Sequence, residues 1–108
     1  MDQKLTLRQK QSLFARLICE LIPHIFDQGY EVTLGDAWAK SGHCKNSNHY
    51  IRLAIDLNLF KDGKYLTDTE SHKPFGEYWE SLHPLCAWGG RFSQPDGNHY
   101  SLKHNGRA

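Results

Sequence analysis

The run Leu53-Ala54-Ile55-Asp56-Leu57-Asn58-Leu59-Phe60 alternates between aliphatic residues and a mixed set that includes one carboxylate. Successive side chains of a strand point to opposite sides, so Leu53, Ile55, Leu57 and Leu59 share one face while Ala54, Asp56, Asn58 and Phe60 share the other. The first face is core. The second holds Asp56, where strand propensity disfavours an aspartate and a part-buried carboxylate needs a partner charge or a metal ion. Small Ala54 beside it leaves room for a ligand.

On either side of this strand the chain is punctuated by turn and cap signals. Asp62-Gly63 predicts a hairpin turn towards Lys64-Tyr65-Leu66. Upstream, Tyr30 to Leu34 predicts a strand bracketed by Gly29 and Gly35. Thr6-Leu7-Arg8-Gln9 has capping-box form, and Leu13, Phe14, Leu17, Ile18, Leu21, Ile22 and Ile25 recur at three- and four-residue steps, which predicts one amphipathic helix. It should close near Gln28-Gly29, with Pro23 kinking its last turns. Ser41 to Ser47 reads as a loop that delivers His49. Downstream, Pro74 to Leu82 predicts a short helix with proline in its first turn. Pro95-Asp96-Gly97-Asn98 predicts a turn, His99 to Leu102 a last strand, and Asn105-Gly106-Arg107-Ala108 a loose tail.

Three polar groups stand out against this scaffold: Ser47-Asn48-His49, Asp56, and Asp96-Gly97-Asn98-His99. His49, Asp56 and His99 form a set of two imidazoles and one carboxylate that suits catalytic zinc, since three protein ligands leave a fourth tetrahedral position open. Asp96 lies close enough to His99 in sequence to act on a water molecule there. The chain is therefore expected to be a hydrolase. The other histidines, His24, His43, His72, His83 and His104, are read as ordinary surface or hydrogen-bonded residues.

Length and charge narrow the setting. At 108 residues the chain is expected to be one domain, an N-terminal helix over 1–29 followed by a core over 30–104. Thirteen basic and 12 acidic residues give a net charge of +1, which offers no broad attraction to nucleic acid or to an anionic membrane. No apolar run approaches the roughly 20 residues that span a bilayer, and Met1-Asp2-Gln3-Lys4 leads into polar residues, so a protein made in the cytoplasm without a signal peptide is expected. Cys19, Cys44 and Cys86 form no Cys-x-x-Cys pair and are expected to be reduced thiols.

Ser47-Asn48-His49, Leu53-Ala54-Ile55-Asp56, Trp88-Gly89-Gly90-Arg91-Phe92 and Asp96-Gly97-Asn98-His99, in this order, resemble the D-alanyl-D-alanine carboxypeptidase and L-alanyl-D-glutamate endopeptidase family of zinc peptidases. The likeness spans roughly residues 30 to 102 and is greatest to short phage and prophage endolysins. It implies an α+β fold with a small antiparallel β-sheet and flanking helices, similar to the hedgehog and lysostaphin-type peptidases. It also implies Zn2+ held by His49, Asp56 and His99, with Asp96 as the catalytic acidic residue. The implied substrate is a peptidoglycan stem peptide, cut by a monomer that accumulates in a host or bacterial cytoplasm and reaches the wall after release. Ser47 is expected to orient the site or substrate, and Trp88 and Tyr100 to line the cleft.

The family's usual pattern has glycine where Arg52 stands, often glutamate where Asp96 stands, and in many members an arginine ahead of the Ser-x-His motif. Lys40 and Arg52 are the candidates to replace that arginine. With strand parity to Asp56 but four residues away at about 3.3 Å each, Arg52 is expected to meet a distal substrate carboxylate. Two other classes use the same residue types. A metal-dependent nuclease would call for a basic excess that this composition lacks. A non-catalytic zinc-stabilised interaction domain would need a closed four-ligand shell, with His43, Cys44, His83 or Cys86 in the fourth position.

Overall fold

A computed structural model describes residues 4–43 and 46–108. The chain opens with helix α1 (Leu7–Asp27), whose start is fixed by a reciprocal capping box: Gln9 N–H donates to the Thr6 hydroxyl and Thr6 N–H to the Gln9 side chain. Phe14, Leu17, Leu21 and Ile25, spaced by three and four residues, form its buried stripe. Gln28 caps the helix, and Gly29 follows with φ of +88°. Pro23 sits inside the last turns.

Five antiparallel strands follow: β1 (Glu31–Leu34), β2 (Ala54–Lys61), β3 (Lys64–Leu66), β4 (Cys86–Trp88) and β5 (His99–Leu102), in the order β1-β2-β5-β4 with β3 also on β2. The result is the α+β fold with a small antiparallel sheet and flanking helices that the sequence led us to expect. Strand β2 is the spine. It pairs β1 along one edge and, on the other, β5 near its start and β3 near its end. Its alternation is the expected one: Leu53, Ile55, Leu57 and Leu59 are buried, while Asp56, Asn58 and Phe60 are half-buried. The Asp62-Gly63 turn that joins β2 to β3 has positive φ at both residues, 52° and 76°, the two-residue hairpin geometry suited to right-twisted strands.

Helix α2 (Thr69–Leu82) begins five residues earlier than the sequence suggested, and Pro74 lies in its interior. The Asp68 side chain accepts from Ser71 N–H and starts the helix before any apolar spacing announces it. Exposed Pro74 leaves the Glu70 carbonyl, also on the exposed side, without its helical donor, where water can reach it. Phe75 and Trp79 face inward to join the α1 stripe, and the Trp79 indole N–H, buried, donates to the carbonyls of Ala87 at 3.1 Å and Ser101 at 3.0 Å.

The tail is not loose. His104 and Arg107 close a hairpin through paired backbone hydrogen bonds of 2.9 and 2.8 Å, with Asn105 and Gly106 in the left-handed region. Lys10 Nζ lies 2.9 Å from His104 Nδ1, and the Arg107 guanidinium donates to the carbonyls of Asn46 at 2.7 Å and Ser47 at 3.0 Å. No helix among the described residues is long and apolar enough to cross a membrane.

Candidate metal centre

Strand register places the first two groups. The β2–β5 pairing sets Asp56 directly opposite His99, and side chains at such positions stand about 5 Å apart on one face. The third group arrives on a 3-10 turn, Asn48–Ile51. Ser47 caps that turn by accepting from His49 N–H at 3.2 Å. The side-chain amide of Asn48, fully buried, donates to the Leu102 carbonyl at 2.7 Å and its backbone carbonyl accepts Leu53 N–H at 3.0 Å, which ties the turn to the far end of β5 and to the start of β2.

His49 Nε2 lies 3.1 Å from Asp56 Oδ1, and His99 Nδ1 lies 3.8 Å from the same oxygen. The two imidazole rings are 5.2 Å apart and nearly perpendicular, at 73°. Asp56 Oδ1 is buried, yet it makes no hydrogen bond among the described residues even with two imidazoles beside it. Buried polar atoms are seldom left so. Two nitrogens and a carboxylate oxygen that crowd together without donating to one another fit the borderline-soft donor preferences of zinc. His/Asp clusters with metal-binding spacing are found twice here, as His43 with His49 and Asp56, and as Asp56 with Asp96 and His99.

Electrostatics favour the ligand state. Burial, and then the neighbouring His49, push the His99 pKa down to about 4, so its imidazole is neutral with a lone pair available near pH 7. Asp96, 53% exposed, reaches within 3.9 Å of His99 Nδ1. Its pKa is raised, first by burial of part of the carboxyl and then by the Asp56 carboxylate, which suits a group that must both take and return a proton. A cleft of about 600 Å³ opens here, with His43, Ser47, His49, Phe92, Asp96 and His99 in its walls.

His49, Asp56, His99, Asp96 and Ser47 thus come together, while three residues expected at the substrate do not. Trp88 and Tyr100 are core residues, 2% and 0% exposed. The Trp88 indole donates to the Gly97 carbonyl at 2.7 Å and the Tyr100 hydroxyl meets His72 Nδ1 at 2.8 Å, so both aromatic rings support the site's strands from behind. Arg52 is not part of β2. It ends the 3-10 turn in the left-handed conformation, φ 58°, and lies over the Trp38 ring at 4.8 Å, at a separate apolar hollow beside α1.

Of the residues considered for a fourth ligand, His83 is occupied by Leu85 N–H, and Cys86 is a core thiol whose pKa burial pushes up to about 12. Cys44 lies outside the described residues. Among the described candidates only His43 is at the site. It stacks on His49 at 4.0 Å and meets Asp36 Oδ2 through Nε2 at 3.0 Å. Asp36, Tyr50 and Arg107 also serve the site without having been singled out in the sequence, and Asn48 was noted there only as part of the Ser-Asn-His motif. Each acts through a tertiary contact that no local spacing encodes.

Residues 40–102, more than half of the chain, match the family described as D-alanyl-D-alanine carboxypeptidase, a family of zinc peptidases. The matched segment runs from just before His43 to the end of β5 and contains all four of the clustered acidic and imidazole residues. No curated protein matches the chain.

Proposed function

Because the chain belongs to the D-alanyl-D-alanine carboxypeptidase family of zinc peptidases, we propose that it hydrolyses a peptide bond in bacterial peptidoglycan stem peptides, with the L-alanyl-D-glutamate bond ahead of the D-alanyl-D-alanine bond. The observation that carries this reading is the orphaned, buried Asp56 Oδ1 beside His49 and His99, two residues that line an open cleft. In it His49, Asp56 and His99 hold zinc. Zinc held there supplies Lewis-acid chemistry towards an amide carbonyl.

Asp96 does the proton work. Its carboxylate, half-exposed on the cleft wall, takes a proton from the attacking water and delivers it to the leaving amine, and its raised pKa brings it nearer to the working pH for both steps. Ser47 accepts the His49 N–H, which holds the ligand's backbone and leaves its hydroxyl proton for a substrate. Phe92, its ring 5.1 Å from that of His99, forms an apolar wall that limits water. The endopeptidase preference and a role in phage lysis rest on the likeness to short endolysins.

Mass spectrometry of purified peptidoglycan after incubation with the zinc-loaded protein tests this, with Asp96→Ala as the control. New peptide termini absent from the control are expected, and their identity names the bond. A folded, zinc-holding protein that yields none would overturn the proposal.

A further inference from the structure

A metal-ligating histidine almost always donates its other ring N–H to a carboxylate, a carbonyl or water, and that bond fixes the plane of the ring. His49 lacks this support among the described residues: its Nδ1 is buried and unpartnered. In its place lies the parallel ring of His43, 4.0 Å away and tilted by only 10°.

His43 is held at both backbone and side chain. Its N–H donates to the Tyr50 hydroxyl at 2.8 Å, and that hydroxyl donates back to the His43 carbonyl at 2.7 Å. Its Nε2 lies 3.0 Å from the Asp36 carboxylate. Asp36 in turn accepts Asp56 N–H through its carbonyl at 3.0 Å, and Tyr50 directly follows His49. The brace therefore begins and ends on residues of the metal site. The lone pairs of two stacked rings lie in separate parallel planes, so His43 in this placement meets His49 with its face.

We propose that His43 is a positioning residue that holds the plane of the His49 imidazole by stacking, with Asp36 and Tyr50 as its anchors. This rests on the reading of His49 as a metal ligand. The role belongs to the flat ring, so phenylalanine at position 43 should preserve it and alanine should not.

Competition with a chromophoric chelator measures zinc affinity, and the visible spectrum of the cobalt-substituted protein reports ligand geometry. His43→Ala is expected to weaken zinc about 10- to 100-fold, the range seen when outer supports of a metal ligand are removed. His43→Phe, which keeps the ring and the two backbone bonds to Tyr50 and loses only the weaker Asp36 anchor, is expected to stay within about threefold of the parent with an unchanged cobalt spectrum, and Tyr50→Phe, which opens the clasp, to fall between the two. A His43→Phe loss as large as that of alanine would overturn the proposal, because a nitrogen rather than a ring face would then be needed. Undiminished affinity in His43→Ala would overturn it as well. His49→Ala separates the two levels: if it too binds zinc normally, the ligand reading has failed, whereas a large loss there alone refutes only the brace.

Discussion

Replacing Gly89 with alanine should damage the site more than it damages the fold. A Cβ at Gly89 would lie 2.1 Å from the Asp96 carbonyl oxygen and 2.7 Å from His99 Cβ. Ordinary nonbonded carbon contacts are about 3.5 Å or longer, so the backbone must open by about 1 Å. The Gly89 carbonyl also accepts the N–H groups of Asp96 at 2.9 Å and Phe92 at 3.1 Å, which leaves the 89–96 crossing tied on both sides and unable to relax by one rotamer change. The displacement falls on the turn that carries Asp96 and His99.

Overpacking of this kind costs about 1–3 kcal/mol of stability, while a shift of about 1 Å at a reacting group can cost about 100-fold in rate. Gly63→Ala is the matched control. Its φ of +76° makes alanine unfavourable by about 1–2 kcal/mol, yet a Cβ there meets nothing within 4 Å and the hairpin is remote from the cleft. Urea unfolding gives the stability of each variant, and chelator competition and peptide release from peptidoglycan give its function under conditions where both are folded. The expected result is similar stability loss with a selective loss of zinc affinity and turnover in Gly89→Ala. Function within about threefold of the Gly63→Ala protein would refute the reasoning.

Asp96→Ala should keep zinc affinity within a few-fold and lower the peptide release rate by about 10²–10⁴, the range for a lost general acid–base; chelator competition and mass spectrometry read the two separately. His72, buried against Tyr100, has its pKa pushed down to about 4 by burial, below the ordinary 6.5. The unfolded chain therefore binds the extra proton between these values, so this contribution is complete above about pH 6.5 and is lost as pH falls towards 4. It amounts to about 3 kcal/mol, and urea titrations of the metal-free protein at pH 7.5 and 4.5 should show a shallower fall for His72→Gln. Arg107→Met should cost about 1 kcal/mol in the same assay, because it removes two charge-assisted hydrogen bonds to the partly exposed Asn46–Ser47 carbonyls.

Most of the sheet could be read from the sequence because a strand with one buried face writes its period into the chain. Leu53 to Phe60 shows this, and so do the Thr6-Gln9 box and the Asp62-Gly63 turn, whose signals are local. The four clustered residues were legible for a different reason, since their residue types and order are unusual together. Trp88 and Tyr100 were misplaced because an aromatic side chain suits core and cleft equally until its neighbours are known. The start of α2 was missed because Thr69 to Lys73 has no apolar spacing and depends on the Asp68 cap. The tail was read as loose because its anchors, the Asn46 and Ser47 carbonyls, are backbone atoms some 60 positions away in sequence. His43 was legible only as a candidate fourth ligand of the non-catalytic alternative, since a loop histidine carries no periodicity that marks a packing role.

The Asp56–His99 pairing across β2 and β5 also bears on how the protein matures. A slip of one residue between these strands would send one of the two side chains to the opposite face, because facing alternates with every position. The chain between them includes β3, α2 and β4, so the pair closes a long loop, a non-local contact of the kind that slows folding. On the proposed zinc reading, an ion in excess should bind only the correctly threaded molecules and so draw the folding population towards the native topology by mass action.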